Sequence, residues 1–429
     1  MSMTANKRAV LVVCDSLRAD LINAGNTPAL HGLRGTSAHF TRHASVFPST
    51  TRTASASLAT GCLPRSHGLL GNVVAVDEGQ GLAPLNTGKA DFRERMRKAM
   101  GRVLERPTLA ELLAPHGGAL IYSNASPGAA HVQDPDGHGT LLNRAGSHGP
   151  GLQPLPPERH LDTPKGVEGD AQTTERFVAE ALHGSDCPLA VLWLSEPDHT
   201  GHAHPLGGPE HLRAIAGADA CVARVWEAVQ ALRARGQDVL FIVTSDHGQE
   251  TTGEVIDVDA ELIAAGLKAG PGSSDVVAAS QGSSVLFFVG PEGAGREEAL
   301  RDFVTGRDWC GEAFFDGQME AVGLAARWSL IGAASMRKSD APNAHGVVGF
   351  TDIAYEEGGI NNPGRGQHGG TGRWEQGAFL FINGEGFQPG DRGEGTSPID
   401  VAPSILRHLG LPAGERAGQD GRPLQQYYY

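Results

Sequence analysis

No stretch of this 429-residue sequence approaches the roughly 20 apolar residues needed to span a bilayer. The first apolar run, after Lys7 and Arg8, is too short for a secretory leader and ends in Asp15, so it reads as a strand and no membrane association is expected. Cysteine is scarce. Cys14, Cys62, Cys187, Cys221 and Cys310 form an odd, widely spaced set, which excludes a disulfide scaffold and leads to the expectation of free thiols in a reducing, cytoplasmic compartment. Positive charge is also lacking: 35 Lys and Arg against 49 Asp and Glu leave a net charge of -14. A nucleic-acid polymer is thereby excluded as a partner, because neutralising a phosphate backbone needs a basic face. Internal repeats are absent, and nothing in the sequence indicates an oligomeric state. With 40% hydrophobic and 20% charged residues, the chain can bury one large α/β core plus insertions, or two domains.

What is present is a set of apolar runs that end in metal-ligand side chains. Ala9 to Val13 is followed by Cys14 and Asp15; Leu189 to Leu194 leads into SEPDHTGH, with Asp198 and His202; Val239 to Val243 leads into TSDHG, with Asp246 and His247. Further on, RGQHGGTG presents His368. Continuous apolar runs of this length suit strands of a parallel sheet buried on both faces, and open α/β folds build their sites at the carboxyl ends of such strands. A single Asp after a strand is ordinarily a helix cap or turn residue. Three strand ends that each carry a carboxylate, two of them with histidine, make a constellation: Asp15, Asp198, His202, Asp246, His247 and His368. Imidazole and carboxylate donors together suit zinc, with manganese or iron as competitors, and six of them suffice for two divalent ions with open positions.

Residues Phe47 to Asn72, FPSTTRTASASLATGCLPRSHGLLGN, add a nucleophile. The small residues after Thr51 predict a short helix that ends at Gly61. Its N-terminus would turn free N–H groups and the positive end of the helix dipole towards an anion beside the Thr51 hydroxyl, which suits phosphate. A hydroxyl is a poor nucleophile at neutral pH and needs a base or a metal ion.

The order of Asp15, FPSTT with Thr51, Thr60 to Gly68, EPDHTGH, SDHG and QHGG resembles the alkaline phosphatase superfamily, in particular its type I phosphodiesterase and nucleotide pyrophosphatase branch, which includes phosphonoacetate hydrolases. These matches run from about residue 9 to residue 424. The resemblance implies an alkaline phosphatase-like α/β fold, a mostly parallel central sheet sandwiched by helices. It also implies that Asp15, Asp246 and His247 bind one zinc beside Thr51 while Asp198, His202 and His368 bind the other, that Asn72 holds a phosphoryl oxygen, and that a phosphothreonine intermediate forms on Thr51. One departure concerns the residue after the nucleophile, an aromatic in nucleotide pyrophosphatases and Arg52 here; a guanidinium there suits a second anionic group on the substrate. Another is Cys62-Leu63-Pro64-Arg65, similar to a sulfatase signature but with its arginine one position early and its cysteine beyond the helix start, which rejects sulfatase.

Two insertions interrupt the expected core of residues 1–250 and 363–429. Residues 73 to about 175, with DPDGHG and GSHGPG, read as a loop-rich insertion with room for one helix: a strongly charged stretch at 91–104 precedes a short amphipathic helix capped by Thr108 and ending near Gly117; His138, His148 and Arg144 lie in its loops. Residues 251–362 alternate helix and strand patterns, as in an inserted small α/β cap domain. Glu210 to Arg235 predicts a long helix with an apolar stripe of core residues, and Asp400 to Gly410 the last helix. Tyr427 to Tyr429 read as a disordered tail. The expected activity is metal-dependent hydrolysis of a small organic phosphate ester. One alternative is cleavage of a carbon–phosphorus bond in a small phosphonate, with Arg52, Lys89 or Lys98 gripping a carboxylate; a metal-stabilised binding protein without catalysis is the other.

Overall fold

Alternation along the first strand decides how the molecule is layered. In this computed structural model, which describes residues 6–426, Ala9, Leu11 and Val13 face one side of the sheet, against Ile405, Leu406 and Leu409. Val10, Val12 and Cys14 face the other, against Ile215, Val222 and Val229. A strand buried on both faces has no solvated side, which is why its sequence is an unbroken apolar run. Tyr427 to Tyr429 lie outside the described residues.

Eight strands carry the central sheet: β1 (Lys7–Cys14), β2 (Ala38–His43), β3 (Ala119–Ser123), β4 (Thr140–Asn143), β5 (Leu189–Leu194), β6 (Asp238–Thr244), β7 (Leu380–Asn383) and β8 (Gly390–Thr396). Their order is β8-β2-β7-β6-β1-β5-β3-β4, extended past β4 by the short strands His148–Gly149 and Gln153–Pro154. From β6 through β4 the pairing is parallel, as it is between β2 and β8; β7 runs antiparallel to both neighbours. Helices flank both faces. Among them α1 (Thr51–Thr60), α2 (Asp198–Ala203), α3 (Pro209–Ala234) and α4 (Val401–His408) bear on the site. The long helix α3 agrees with the predicted stripe, since Ile215, Ala218, Val222, Val229 and Leu232 are buried.

The segment 73–175 differs from its reading as loop-rich. It contains β3 and β4, which continue the parallel core, and a hairpin of Val73–Asp77 with Leu82–Asn86. The Gly-, Asp- and Pro-rich turns around these short strands dominate the composition and conceal them. The helix at Leu109–Leu113, with Thr108 accepting the Glu111 N–H at 3.2 Å, matches the expectation there, and the charged stretch before it forms a second helix at Phe92–Met100.

Within 251–362, the strands Val276–Ser280, Ser284–Val289, Leu330–Met336 and Cys310–Phe315 form an antiparallel sheet in that spatial order. Helices Val258–Ala264 and Glu297–Thr305 accompany it. A further four-stranded sheet joins Lys338–Pro342, Val348–Ala354, Glu250–Ile256 and Gly366–Gln367. The 73–86 hairpin packs against the first of these sheets through Val74 and Val76 with Val277, Leu286 and Phe288.

Candidate active site

The three parallel strands at the centre of the sheet deliver the carboxylates. Asp15 immediately follows β1, Asp246 and His247 follow β6, and a short turn after β5 opens α2 at Asp198. On that helix Asp198 and His202 are four residues apart, hence on one face. His368 follows the short strand Gly366–Gln367, which pairs with Glu250 and Thr251 next to the end of β6.

Thr51 is the first residue of α1 and is 7% exposed. The preceding Thr50 has extended backbone angles, and Gly61 ends the helix at φ 71°, a left-handed conformation that favours glycine. The prediction for this segment therefore holds at both ends.

All seven side chains converge. His247 Nε2 lies 3.1 Å from Thr51 Oγ1, 3.1 Å from Asp246 Oδ2 and 3.6 Å from Asp15 Oδ1. Asp198 Oδ1 lies 3.3 Å from His202 Nε2 and 3.5 Å from His368 Nε2. The His247 and His368 rings stack at 3.8 Å between centroids, which joins the two groups. Two compact donor sets result, Asp15 with Asp246 and His247, and Asp198 with His247 and His368. His202 stands beside the second through Asp198.

The histidines share one orientation. Nδ1 of His202, His247 and His368 faces the backbone carbonyls of Gly366, Gly248 and Ser49 at 2.9, 3.0 and 2.9 Å. A carbonyl only accepts, so each Nδ1 carries a proton and each Nε2 is turned towards the site, the arrangement found around metal-bound histidine.

Electrostatics give the same reading. Burial, then Asp246 and Asp198, push the Asp15 carboxyl well above its ordinary range. For Asp198, burial acts upward too, but His202, His368 and His247 outweigh it and hold that carboxyl low. Asp15 Oδ1 and Asp246 Oδ2 are buried with no hydrogen-bond donor. Three carboxylates in one buried pocket repel one another and lose hydration, a cost that divalent cations offset. The donor set fits two such ions.

A cavity of about 330 Å³ opens over Thr51, Asp15, Asp198, His202 and His368. Asn72 lines it, its Oδ1 accepting from the Arg52 backbone N–H at 3.4 Å, and Arg52 lines it as well. Of the residues expected in insertion loops, Arg144 reaches the cavity. His148 instead stacks on His131 at 5.8 Å, and the His138 backbone N–H bonds Asp134. The lysine that lines the cavity is Lys165, not Lys89 or Lys98; Lys98 sits 3.7 Å from Glu78.

Sequence reasoning missed three supports. Trp193 Nε1 donates to Asp15 Oδ2 at 3.0 Å, Gln249 Nε2 to Asp198 Oδ1 at 2.9 Å, and Gln281 Oε1 accepts the Asn72 backbone N–H at 2.6 Å. Gln249 directly follows SDHG, so its position held a signal. Gln281 lies in a distant turn between the strands Val276–Ser280 and Ser284–Val289 and had none.

The family model of type I phosphodiesterase / nucleotide pyrophosphatase matches residues 9–293. The chain belongs to this family. It is accordingly a phosphoric ester hydrolase of the alkaline phosphatase superfamily. No curated protein matches it. Among solved structures, murine ectonucleotide pyrophosphatase / phosphodiesterase 5, as an inactive threonine-to-alanine variant in complex with AMP, aligns with a TM-score of 0.65 at 17% identity over 95% of this chain and 96% of that one. Another structure of the same murine protein aligns with a TM-score of 0.64 at 18% identity, over the same shares. At this identity the likeness concerns the fold: the phosphodiesterase-family chain has the mostly parallel central sheet and flanking helices expected of it. Metal dependence is a property of this family.

Proposed function

We propose that the protein hydrolyses a small organic phosphate ester through a covalent phosphothreonine on Thr51, at a site for two divalent cations, most consistent with zinc among zinc, manganese and iron. Asp15, Asp246 and His247 would hold one ion and Asp198, His202 and His368 the other. When bound, such ions neutralise the carboxylates, favour the deprotonated hydroxyl and draw charge from phosphoryl oxygens.

The chain's own groups define the rest. Thr51 Oγ1 attacks phosphorus as the bond from phosphorus to the leaving oxygen breaks, and the departing alkoxide takes a proton from water. The Asn72 amide donates to a phosphoryl oxygen, fixed in place by Gln281 behind its backbone. Free N–H groups in the first turn of α1 face the same charge. Water then attacks the phosphothreonine, releases phosphate and restores the hydroxyl. The observation that carries this reading is the convergence of six ligand-type side chains on one buried hydroxyl at a helix mouth.

Cleavage of a carbon–phosphorus bond uses the same residues and differs in the bond broken; the cations Arg52, Arg144 and Lys165 along the cavity favour it for a phosphonate that bears a carboxylate. Free cysteines, three of them buried, accord with a reducing cytoplasm. Among the described residues no helix is long and apolar enough to cross a membrane.

The test compares the zinc-loaded protein with its Thr51→Ala variant on p-nitrophenyl phosphate, bis-p-nitrophenyl phosphate and phosphonoacetate, with metal content measured in parallel. The variant is expected to keep its metal and to lose at least about 1,000-fold in kcat, as for other removed nucleophiles. Near-normal turnover by the variant contradicts a threonine nucleophile. A wild-type protein that binds two zinc ions and turns over none of the three is a binding protein.

A further inference from the structure

Arg52 is an unusual residue to place beside a nucleophile. Its Nε is buried without a hydrogen-bond partner, and Nη1 reaches the Asn72 carbonyl only at 3.5 Å. Among the described residues no partner is found for Nη2, and no carboxylate lies within ion-pairing distance of Arg52, Arg144 or Lys165. All three line the cavity that holds Thr51. The backbone is shaped to admit Arg52: a Cβ on Gly88 would stand 2.2 Å from Nη2, and one on Gly128 would stand 3.0 Å from Nε. Burial lowers its pKa to about 10, against the opposing pull of Glu356, Asp198 and Asp15, so the guanidinium is charged at neutral pH.

A half-buried guanidinium whose Nε is shut off from water without a partner is costly unless an anion completes it. The rest of the lining points the same way. None of the described residues around this cavity is Phe, Tyr or Trp, so a nucleobase finds no such ring to stack on. The cavity of about 330 Å³ also holds the carboxylates of Asp15, Asp198 and Glu356, the first two in the candidate metal donor sets, and among the described residues none of them forms an ion pair with these three cations.

We infer that the substrate is a compact molecule with a second anionic group, a carboxylate or a second phosphate, on the half that is not transferred, and that Arg52 grips this group with Arg144 and Lys165 beside it. The inference rests on the phosphoryl-transfer reading above and names its substrate class. Arg52 acts here as a specificity residue: its bidentate geometry rewards an oxyanion and gives a neutral or aromatic leaving group nothing equivalent.

The zinc-loaded full-length enzyme should be assayed on four probes: phosphoglycolate, its neutral carboxamide analogue, propane-1,3-diol bisphosphate, and the p-nitrophenyl ester of thymidine 5′-monophosphate. An anion on the leaving half is expected to raise kcat/KM by about 30-fold over the carboxamide, the size of one charge-assisted pair. In Arg52→Met this ratio is expected to shrink to within about 3-fold. Preference for phosphoglycolate assigns a carboxylate, and preference for the bisphosphate assigns a phosphate. Equal rates on phosphoglycolate and its carboxamide in the wild type, or fastest turnover of the thymidine ester, overturn the proposal, and this comparison stands even if the variant does not fold. Absence of turnover on every probe would instead strike the phosphoryl-transfer reading itself.

Discussion

At the scale of single residues, the site is organised by backbone carbonyls as much as by the groups that face the cavity. Ser49, Gly248 and Gly366 each accept from an Nδ1–H and thereby set which nitrogen of His368, His247 and His202 looks inward. His368 touches both donor sets, through its stack on His247 and its 3.5 Å approach to Asp198. His368→Ala is therefore expected to lower bound zinc towards one ion per chain, read by elemental analysis, with circular dichroism unchanged. Two ions retained would remove His368 from the ligand set. Asp15, Asp198, His202, Asp246 and His247 stood out in the sequence as candidate ligands because each follows an apolar run that only a buried strand explains, whereas His368 follows none. The pairing of Asp198 with His247 as well as with His202 was not, since it depends on how the ends of β5 and β6 stand across β1.

At the scale of elements, the ends matter more than the middles. The α1 helix was legible at both of its ends, from Thr51 to the left-handed Gly61. By contrast β3 and β4 are four or five residues each and lay hidden among turn signals, because a short central strand borrows its stability from neighbours rather than from its own pattern. The 251–362 segment has its own local anchor. Asp275 accepts the N–H groups of Ala269 and Val276, both at 2.9 Å, and the Ser273 hydroxyl at 2.6 Å, and it pairs with Arg296. Burial pushes this carboxyl up, but Ser273, Arg296 and the two amides outweigh it and hold the pKa at about 2, below the ordinary 3.8. A carboxylate with a depressed folded pKa contributes stability that is fully present above its unfolded value and is lost as pH falls through the folded one. Asp275→Asn should thus cost about 2 kcal/mol at pH 7, and its gap from the wild type in urea denaturation should hold steady down to about pH 4 and narrow below. A gap independent of pH would mean that the charge of Asp275 contributes nothing.

At the scale of the whole molecule, the site is closed by pieces far apart in the chain. Gln281, in the turn between Val276–Ser280 and Ser284–Val289, holds Asn72 by its backbone N–H and also donates to the Val73 carbonyl at 2.6 Å. This contact joins that turn to the start of the 73–86 hairpin, whose apolar side chains pack on the antiparallel sheet of 276–336. Gln281→Leu removes the acceptor while keeping much of the volume. It is expected to cost about 1–3 kcal/mol in stability and to lower kcat while zinc content stays at the wild-type value. An unchanged kcat would show that Gln281 does not position Asn72. The α/β class and the position of the catalytic strands were open to sequence reasoning, whereas a closure across some 200 positions of chain left no local pattern to read.

The central claim is that the Thr51 oxygen becomes bonded to phosphorus during turnover. Mixing the zinc-loaded enzyme with excess bis-p-nitrophenyl phosphate, quenching in acid within milliseconds and mapping the peptides by mass spectrometry tests it directly. The account predicts a single added phosphoryl ester on the peptide containing Thr51, absent from Thr51→Ala. An unmodified peptide during a demonstrated burst of p-nitrophenol, or a phosphorylated residue elsewhere, would contradict it.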